Sequence, residues 1–240
     1  AMEQVVHEVD VMKETCTHPN IITFYDSWFE RNRLCILMEY CSNSSLDKLI
    51  LRYSNMKKRF IDTKIIFYMQ ELSSALKYCH HDLRIMHRDL KPANVLIDEI
   101  GTLKLADFGL SKSLDVHTDL CATFCGSPLY MSPEQYAEGK AYSFSADVWS
   151  LGCVLYALAF GRSPFEPTAK GVNAGSSMKL AICSAEPYFP PENRNIAGVS
   201  FSNEFCSFIR KRLLQPRAEL RPNVVGALRE AAALRRSLSR

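Results

Sequence analysis

Sixteen consecutive residues, Ser145–Phe160 (SADVWSLGCVLYALAF), are apolar except for two serines, an aspartate and a glycine. Their spacing predicts a helix that is apolar on nearly every side and ends at Gly161. The apolar run Val148–Phe160 falls short of the ~20 residues that a membrane-spanning helix needs, and Ser150 interrupts it. We therefore expect this helix at the centre of a domain, with other elements packed around it.

The composition of the chain is that of an ordinary globular protein. Hydrophobic residues make up 47% of the 240 residues and charged residues 23%, which excludes disordered and collagen-like classes. The 29 basic and 26 acidic residues give a net charge of +3, which is too small to favour nucleic acid or a membrane as a partner. Acidic residues recur within the first fifteen positions, so we expect no signal peptide.

The nine cysteines stand singly along the chain and do not form the paired spacing of a zinc site. Cys121 and Cys125 are the nearest two, and no second pair accompanies them. Cys35 and Cys153 lie in apolar stretches and are expected to pack as reduced, small hydrophobic residues. The pattern predicts a reducing, intracellular location in the cytoplasm, with nuclear or cytoskeletal association left open.

Hydrophobic periodicity predicts a small N-terminal part with β character and a mostly helical remainder. The chain is expected to begin with a helix over 3–15, followed by strands at Ile21–Phe29 and Leu34–Tyr40. Asp62 is expected to cap a further helix, whose apolar residues recur at helical spacing. Four more elements are predicted: strands at Asn94–Asp98 and Leu103–Asp107, and helices over 203–214 and 223–236.

Three short motifs follow one another in a fixed order. The segment His87–Asn94 (HRDLKPAN) comes first, and Asp107-Phe108-Gly109 follows thirteen residues after its end. Ser132-Pro133-Glu134 begins twenty-three residues after Gly109. Any one of these motifs is a weak indication by itself, but their order and spacing around a predicted strand pair leave little room for coincidence.

With these motifs the sequence resembles the eukaryotic protein kinases, from Glu8 to about Arg221. The Lys-Pro-x-Asn form is similar to that of serine/threonine kinases, and Met38–Cys41 (MEYC) and Gly126–Gln135 (GSPLYMSPEQ) resemble the NIMA-related kinases. The resemblance implies an α+β, two-lobe fold. Residues 1–40 would form a partial N-lobe with a regulatory helix and two strands, and residues 41–240 a mainly helical C-lobe.

The resemblance also implies a reaction and the residues that perform it. ATP and Mg²⁺ would be used to phosphorylate serine or threonine in protein substrates. Asp89 would accept the proton of the substrate hydroxyl, and Lys91 would contact the γ-phosphate. Asn94 and Asp107 would hold Mg²⁺ against the phosphates, since oxygen ligands suit this cation.

Other matched residues would bind the nucleotide. Glu39 and Cys41 would meet adenine through their backbone groups, with Met38 guarding the pocket behind and Leu96 forming part of its apolar floor.

Two further matched contacts would be structural. Glu134 would form a buried ion pair with Arg221, and Asp147 would hold the backbone around His87 and Arg88.

Four matched positions would be regulatory. Glu8 corresponds to the glutamate of the regulatory helix, and Arg88 to an arginine that pairs with a phosphate in the following loop. Thr123 matches the usual activating position, with Thr118 as a less favoured candidate. Ser127 keeps a hydroxyl that can reach Asp89 and the neighbouring lysine.

The resemblance breaks before Glu8, which only seven residues precede. None of the seven is the lysine that normally pairs with this glutamate, and the glycine-rich loop over the phosphates is absent from the sequence. Two interpretations stay open. The chain is a fragment of a complete kinase, or it is a catalytically silent module that binds a regulatory protein partner.

Overall fold

The fold is known from a computed structural model. It describes residue 13 and residues 18–31, 33–58, 60–108, 112–113, 127–136, 142–166, 182–183, 187–195, 198 and 200–238. Apart from residue 13, the helix predicted over 3–15 lies outside this part of the chain, as do Glu8 and Thr123.

The N-terminal part is a two-stranded antiparallel sheet of β1 (Phe24–Glu30) and β2 (Arg33–Met38). Glu30 pairs with Arg33 at the end of this sheet. The predicted hairpin is confirmed, but β1 starts three residues later than expected. Ile21 instead forms a bridge with Leu105 and is fully buried, because it packs into the helical body.

The body is mainly helical. The α-helices whose bounds the structure describes are α1 (Leu46–Asn55), α2 (Asp62–Lys77), α3 (Pro133–Tyr136), α4 (Ser145–Phe160), α5 (Asn203–Phe208) and α6 (Val224–Leu238). Helices α2 and α5 each continue into a π-helical turn, at Tyr78–Asp82 and Ile209–Leu213. The described helices include none with the length and apolar character that crossing a membrane requires.

Helix α4 occupies the centre of the core, as predicted. Every residue from Ala146 to Phe160 is buried, and Gly161 ends the helix with a φ of 76° in the left-handed region. A Cβ atom at Gly152 would lie 2.9 Å from side-chain atoms of Leu213 and Leu214. Glycine at this position therefore lets the π-helical turn after α5 pack closely against α4.

Along the chain, the strands of two small sheets lie between α2 and α3. Strand β3 (Ile85–Met86) pairs with β6 (Lys112–Ser113), and β4 (Val95–Ile97) pairs with β5 (Leu103–Leu105). The 3₁₀ turn Pro92–Asn94 leads into β4. These short strands hold the His87–Asn94 segment and the start of the Asp107 motif beside each other.

The predicted capping role of Asp62 is wrong. Ile61 is the N-cap residue of α2, and no side chain caps the helix. The Asp62 carboxylate instead accepts a hydrogen bond of 3.1 Å from the backbone N–H of Ser202. Asp62 therefore joins α2 to the start of α5, a contact that local sequence does not reveal.

Candidate active site

The buried carboxylate of Asp147 fixes the backbone at the start of the first motif. It accepts hydrogen bonds of 2.9 Å from the N–H groups of His87 and Arg88, as predicted. His80 Nε2 lies 2.7 Å from the same carboxylate. Burial alone would raise the pKa of Asp147, but the hydrogen bond and electrostatic interaction with His80 and the contacts from His87 and Arg88 hold it below its usual value. Asp147 therefore stays charged and keeps its donors in place.

Asp89 lies at the centre of a compact polar cluster. Its carboxylate is 2.6 Å from Lys91 Nζ and 2.7 Å from the hydroxyl of Ser127. The Asn94 side-chain amide donates to it over 3.0 Å. Only 7% of Asp89 is exposed, so the three donors offset the loss of hydration. They also hold the carboxylate in one orientation.

The Ser127 hydroxyl has a second contact, with Lys91 Nζ at 2.7 Å. Because the lysine has no acceptor, it donates to the serine oxygen, and the hydroxyl proton is free to point at Asp89. The predicted reach of Ser127 to both residues is present. This hydroxyl closes a triangle that joins residue 127 to Lys91 and Asp89, which are 36 and 38 residues earlier.

Asp107 lies next to this cluster. The N–H of Ala106 donates to the Asn94 carbonyl over 2.9 Å, which brings the two predicted metal-binding positions into neighbouring segments. Asp107 has a φ of 63°, a left-handed conformation that is uncommon outside glycine. The fully buried ring of Phe108 packs edge-on against His87, with the ring centres 5.0 Å apart. This packing holds the backbone on both sides of Asp107.

The side-chain oxygen atoms of Asn94 and Asp107 suit a hard cation as ligands. The Asn94 amide nitrogen donates to the backbone carbonyl and carboxylate of Asp89, so its oxygen is the atom left to act as a ligand. Asp107 adds carboxylate oxygens, and oxygen donors are those that Mg²⁺ prefers. The described residues contain no group of three His, Cys, Asp or Glu side chains that could hold a metal. A cation held by Asn94 and Asp107 would need further oxygens from a bound phosphate or water.

Glu134 and Arg221 form the predicted ion pair. Arg221 Nη1 and Nη2 each donate to one carboxylate oxygen of Glu134, at 2.6 and 2.5 Å. The arginine side chain is fully buried and also donates to the carbonyls of Ser145 and Gln215. This contact holds α3, the start of α4 and the segment before α6 together, away from Asp89.

The positions predicted to bind a nucleotide lie where the two-stranded sheet meets the body. Met38 ends β2, and Glu39 and Cys41 follow it. Leu96 is the central residue of β4 and forms a bridge with Ser45. Within the described residues, the Glu39 carbonyl accepts no backbone hydrogen bond and the Cys41 N–H donates none.

Comparison with known proteins agrees with this geometry. The family model described as "Protein kinase domain" matches residues 1–231. The chain belongs to the eukaryotic protein kinase family. It is 36% identical to serine/threonine-protein kinase Nek5 of Homo sapiens, over 91% of this chain and 29% of that protein. It is 39% identical to serine/threonine-protein kinase Nek2 of Mus musculus, over 68% of this chain and 38% of that protein.

Similarity extends beyond the Nek proteins. The chain is 35% identical to mitogen-activated protein kinase kinase SIPKK of Nicotiana tabacum, over 80% of this chain and 51% of that protein. Across these three relatives the chain spans between 29% and 51% of the other protein's length. The NIMA-related character inferred from the sequence motifs is confirmed.

The kinase motifs did not reveal three residues that complete the site. His80 lies on the π-helical turn and contacts Asp147, although 67 residues separate them. Lys104 and Thr23 both contact the Glu39 carboxylate. None of the three belongs to a motif, and each contact joins distant parts of the chain, so only the folded structure identifies them.

Proposed function

We propose that this protein transfers the γ-phosphoryl group of ATP to serine or threonine hydroxyls of protein substrates. The observation that carries the proposal is the Asp89 carboxylate, held in one orientation by Lys91, Asn94 and Ser127. Phosphoryl transfer depends mainly on positioning and on stabilising negative charge, and this cluster supplies both.

The roles of these side chains follow from their chemistry. Asp89 accepts the proton of the substrate hydroxyl as that oxygen forms its bond to the γ-phosphorus, while the bond from this phosphorus to the β,γ-bridging oxygen breaks and ADP leaves. Lys91 supplies a positive charge 2.6 Å from that carboxylate, close to where charge develops on the transferred group. Ser127 holds the Asp89 and Lys91 side chains in place relative to each other through its hydroxyl.

ATP and Mg²⁺ are the expected substrate and cofactor. When bound, Mg²⁺ neutralises charge on the phosphates. Asn94 and Asp107 would hold it through oxygen atoms. The Glu39 carbonyl and the Cys41 N–H would bind the edge of adenine, and Leu96 and Met38 would line the apolar part of its pocket.

Regulation is proposed to act through the loop between Asp107 and Glu134. A phosphate on Thr123 would pair with Arg88, because a phosphate carries about −1.5 to −2 charges and can hold an arginine through two oxygens. In a double-mutant cycle on kinase activity, Thr123→Ala and Arg88→Ala should give non-additive losses. Additive losses would place the regulatory site elsewhere. The role of Glu8 in a regulatory helix, a regulatory protein partner and a cytoplasmic location stay predictions.

A transfer assay tests the proposed function. Full-length protein is incubated with Mg²⁺, ATP labelled at the γ-phosphate and a generic protein substrate, followed by phosphoamino-acid analysis. We expect label on serine or threonine, and none above background with Asp89→Asn. ATP binding without transfer would instead favour the second interpretation, a catalytically silent interaction module. A wild type that neither transfers phosphate nor binds ATP would contradict the proposal altogether.

A further inference from the structure

The Glu39 carboxylate collects hydrogen-bond donors from two different parts of the fold. The backbone N–H and the hydroxyl of Thr23 each donate to Oε2 over 3.1 Å. Lys104 Nζ lies 2.8 Å from Oε1. We refer to Thr23, Glu39 and Lys104 as the Glu39 cluster. The side chains of Lys104 and Glu39 are 12% and 20% exposed, so water competes only partly for this ion pair.

The cluster joins the two-stranded sheet to the body. Thr23 immediately precedes β1 and Glu39 immediately follows β2, and the Glu39 N–H donates to the Thr23 carbonyl over 2.8 Å. Lys104 lies on β5, in another sheet. One carboxylate thus fixes the open end of the β1–β2 hairpin to the strand pair that carries Leu96.

Lys104 is also next to the proposed base pocket. In the β4–β5 ladder it lies directly opposite Leu96, and opposite residues of an antiparallel pair place their side chains on the same face. The chain after Cys41 is fixed to β4 as well, because Asn43 N–H donates to the Ile97 carbonyl over 3.1 Å. The segment from Glu39 to Asn43 is therefore held at both ends.

The charge state of Glu39 agrees with this contact. Burial alone would raise its pKa, but the hydrogen bonds and charge of Lys104 and the bonds from Thr23 keep the pKa below its usual value. The carboxylate is therefore ionised at neutral pH and paired with the ammonium group of Lys104.

We propose that Lys104 is a positioning residue for the purine base. It holds the Glu39 side chain, and so sets the place of the Glu39 carbonyl and the Cys41 N–H that meet the base. This inference rests on the proposed function, since it concerns the same nucleotide. Small displacements of such groups weaken binding, because hydrogen bonds to a flat base require aligned partners.

The test separates the base from the phosphates. Binding of adenosine and of inorganic tripolyphosphate with Mg²⁺ is measured by calorimetry on the full-length protein. We expect Lys104→Met to weaken adenosine binding about tenfold, or ~1.4 kcal/mol, and to leave tripolyphosphate binding within about twofold. Lys104→Arg keeps the charge and should restore most of the affinity. Lys77→Met, at an exposed lysine near the end of α2, is the matched control and should bind adenosine like the wild type.

A second variant tests the same ion pair through its other member. Glu39→Gln removes the negative charge, and its loss of adenosine affinity should not add to that of Lys104→Met, since both variants break the Lys104–Glu39 contact. Equal weakening of adenosine and tripolyphosphate would mean a merely structural role and overturn the inference. If Lys104→Met binds adenosine like the wild type, the inference about Lys104 is overturned, while the proposed function stands. A wild type that binds no adenosine overturns both.

Discussion

Ser127 donates a hydrogen bond of 2.7 Å to Asp89, although 38 residues separate them in the sequence. The same hydroxyl oxygen lies 2.7 Å from Lys91 Nζ. A single serine therefore contacts both side chains that are proposed to act on the substrate hydroxyl and the phosphate.

Removal of the Ser127 hydroxyl should lower kinase activity. Ser127→Ala leaves both Asp89 and Lys91 without one partner, and a hydrogen bond to a charged group contributes about 1.5–3 kcal/mol. We expect kcat/KM to fall by about tenfold or more. Ser127→Thr keeps the hydroxyl and should retain most of the activity. Equal losses in the two variants would show that steric fit, and not the hydrogen bond, matters at this position.

Asp89→Asn and Asp107→Asn should fail in different ways. The amide at position 89 is nearly the same size as the carboxylate but is a poor base, and general-base catalysis contributes about 10²–10⁴ in rate. The amide at position 107 instead weakens the hold on Mg²⁺. Activity of each variant is measured across a Mg²⁺ titration. Higher Mg²⁺ should partly restore Asp107→Asn but not Asp89→Asn, and a similar response of both would refute this division of roles.

The buried ion pair of Arg221 should contribute far more to stability than an exposed one. Arg221→Met leaves Glu134, which is 14% exposed, without its partner, and breaking a buried pair costs about 3–5 kcal/mol. The matched control is Arg212→Met, which breaks the pair with Glu230. Those two side chains are 46% and 35% exposed, and such pairs contribute about 1 kcal/mol or less. The free energy of unfolding of both variants is measured by urea denaturation. Equal losses of stability would contradict the larger contribution assigned to the Arg221–Glu134 pair.

The features that the sequence predicted are those with a local pattern. Helix α4 has the predicted bounds, because an apolar surface on all sides leaves it no place but the core. The helical spacing of apolar residues after Asp62 also indicated a buried face, and its members are all buried in the structure: Ile65, Ile66, Met69, Leu72 and Leu76 of α2, and Cys79 of the π-helical turn that follows. The Asp147 contacts and the Arg221 ion pair were also anticipated, but through family motifs and not from periodicity.

Most of the features that it missed depend on distant partners, but helix α1 does not. Asp62 has the residue type of a helix cap, yet Ser202 competes for its carboxylate from 140 residues away. Helix α1 was not predicted at all, although its buried residues Leu46, Leu49 and Ile50 have helical spacing. Lys104 is an ordinary strand lysine in the sequence, and only the fold brings it to Glu39. Such pairings are decided by tertiary packing and leave no local pattern.

His87 should make the stability of the protein depend on pH in the mildly acidic range. Its ring is fully buried, and Nε2 must carry the proton because it lies 3.0 Å from the Ala106 carbonyl, which only accepts. Nδ1 is then the acceptor for the N–H of Asp89, at 3.4 Å. Burial lowers the pKa of His87 below 6.5, against the opposing effects of Asp147 and of the hydrogen bond to Ala106. The folded protein therefore holds a neutral imidazole that cannot take up a proton without losing the Asp89 contact.

The direction of the effect follows from proton uptake. Well above pH 6.5 the ring is neutral in both states and contributes no slope, whereas near and below 6.5 the unfolded chain binds a proton that the folded protein does not. The free energy of unfolding should then fall as pH decreases from 6.5 toward the lowered pKa, by at most about 1.4 kcal/mol per pH unit from this residue. His87→Phe should reduce that slope, and His81→Gln, at an exposed histidine, should leave it unchanged. Urea denaturation between pH 5 and 8 measures the difference. A wild-type slope retained in His87→Phe would show that other groups, and not His87, take up the proton.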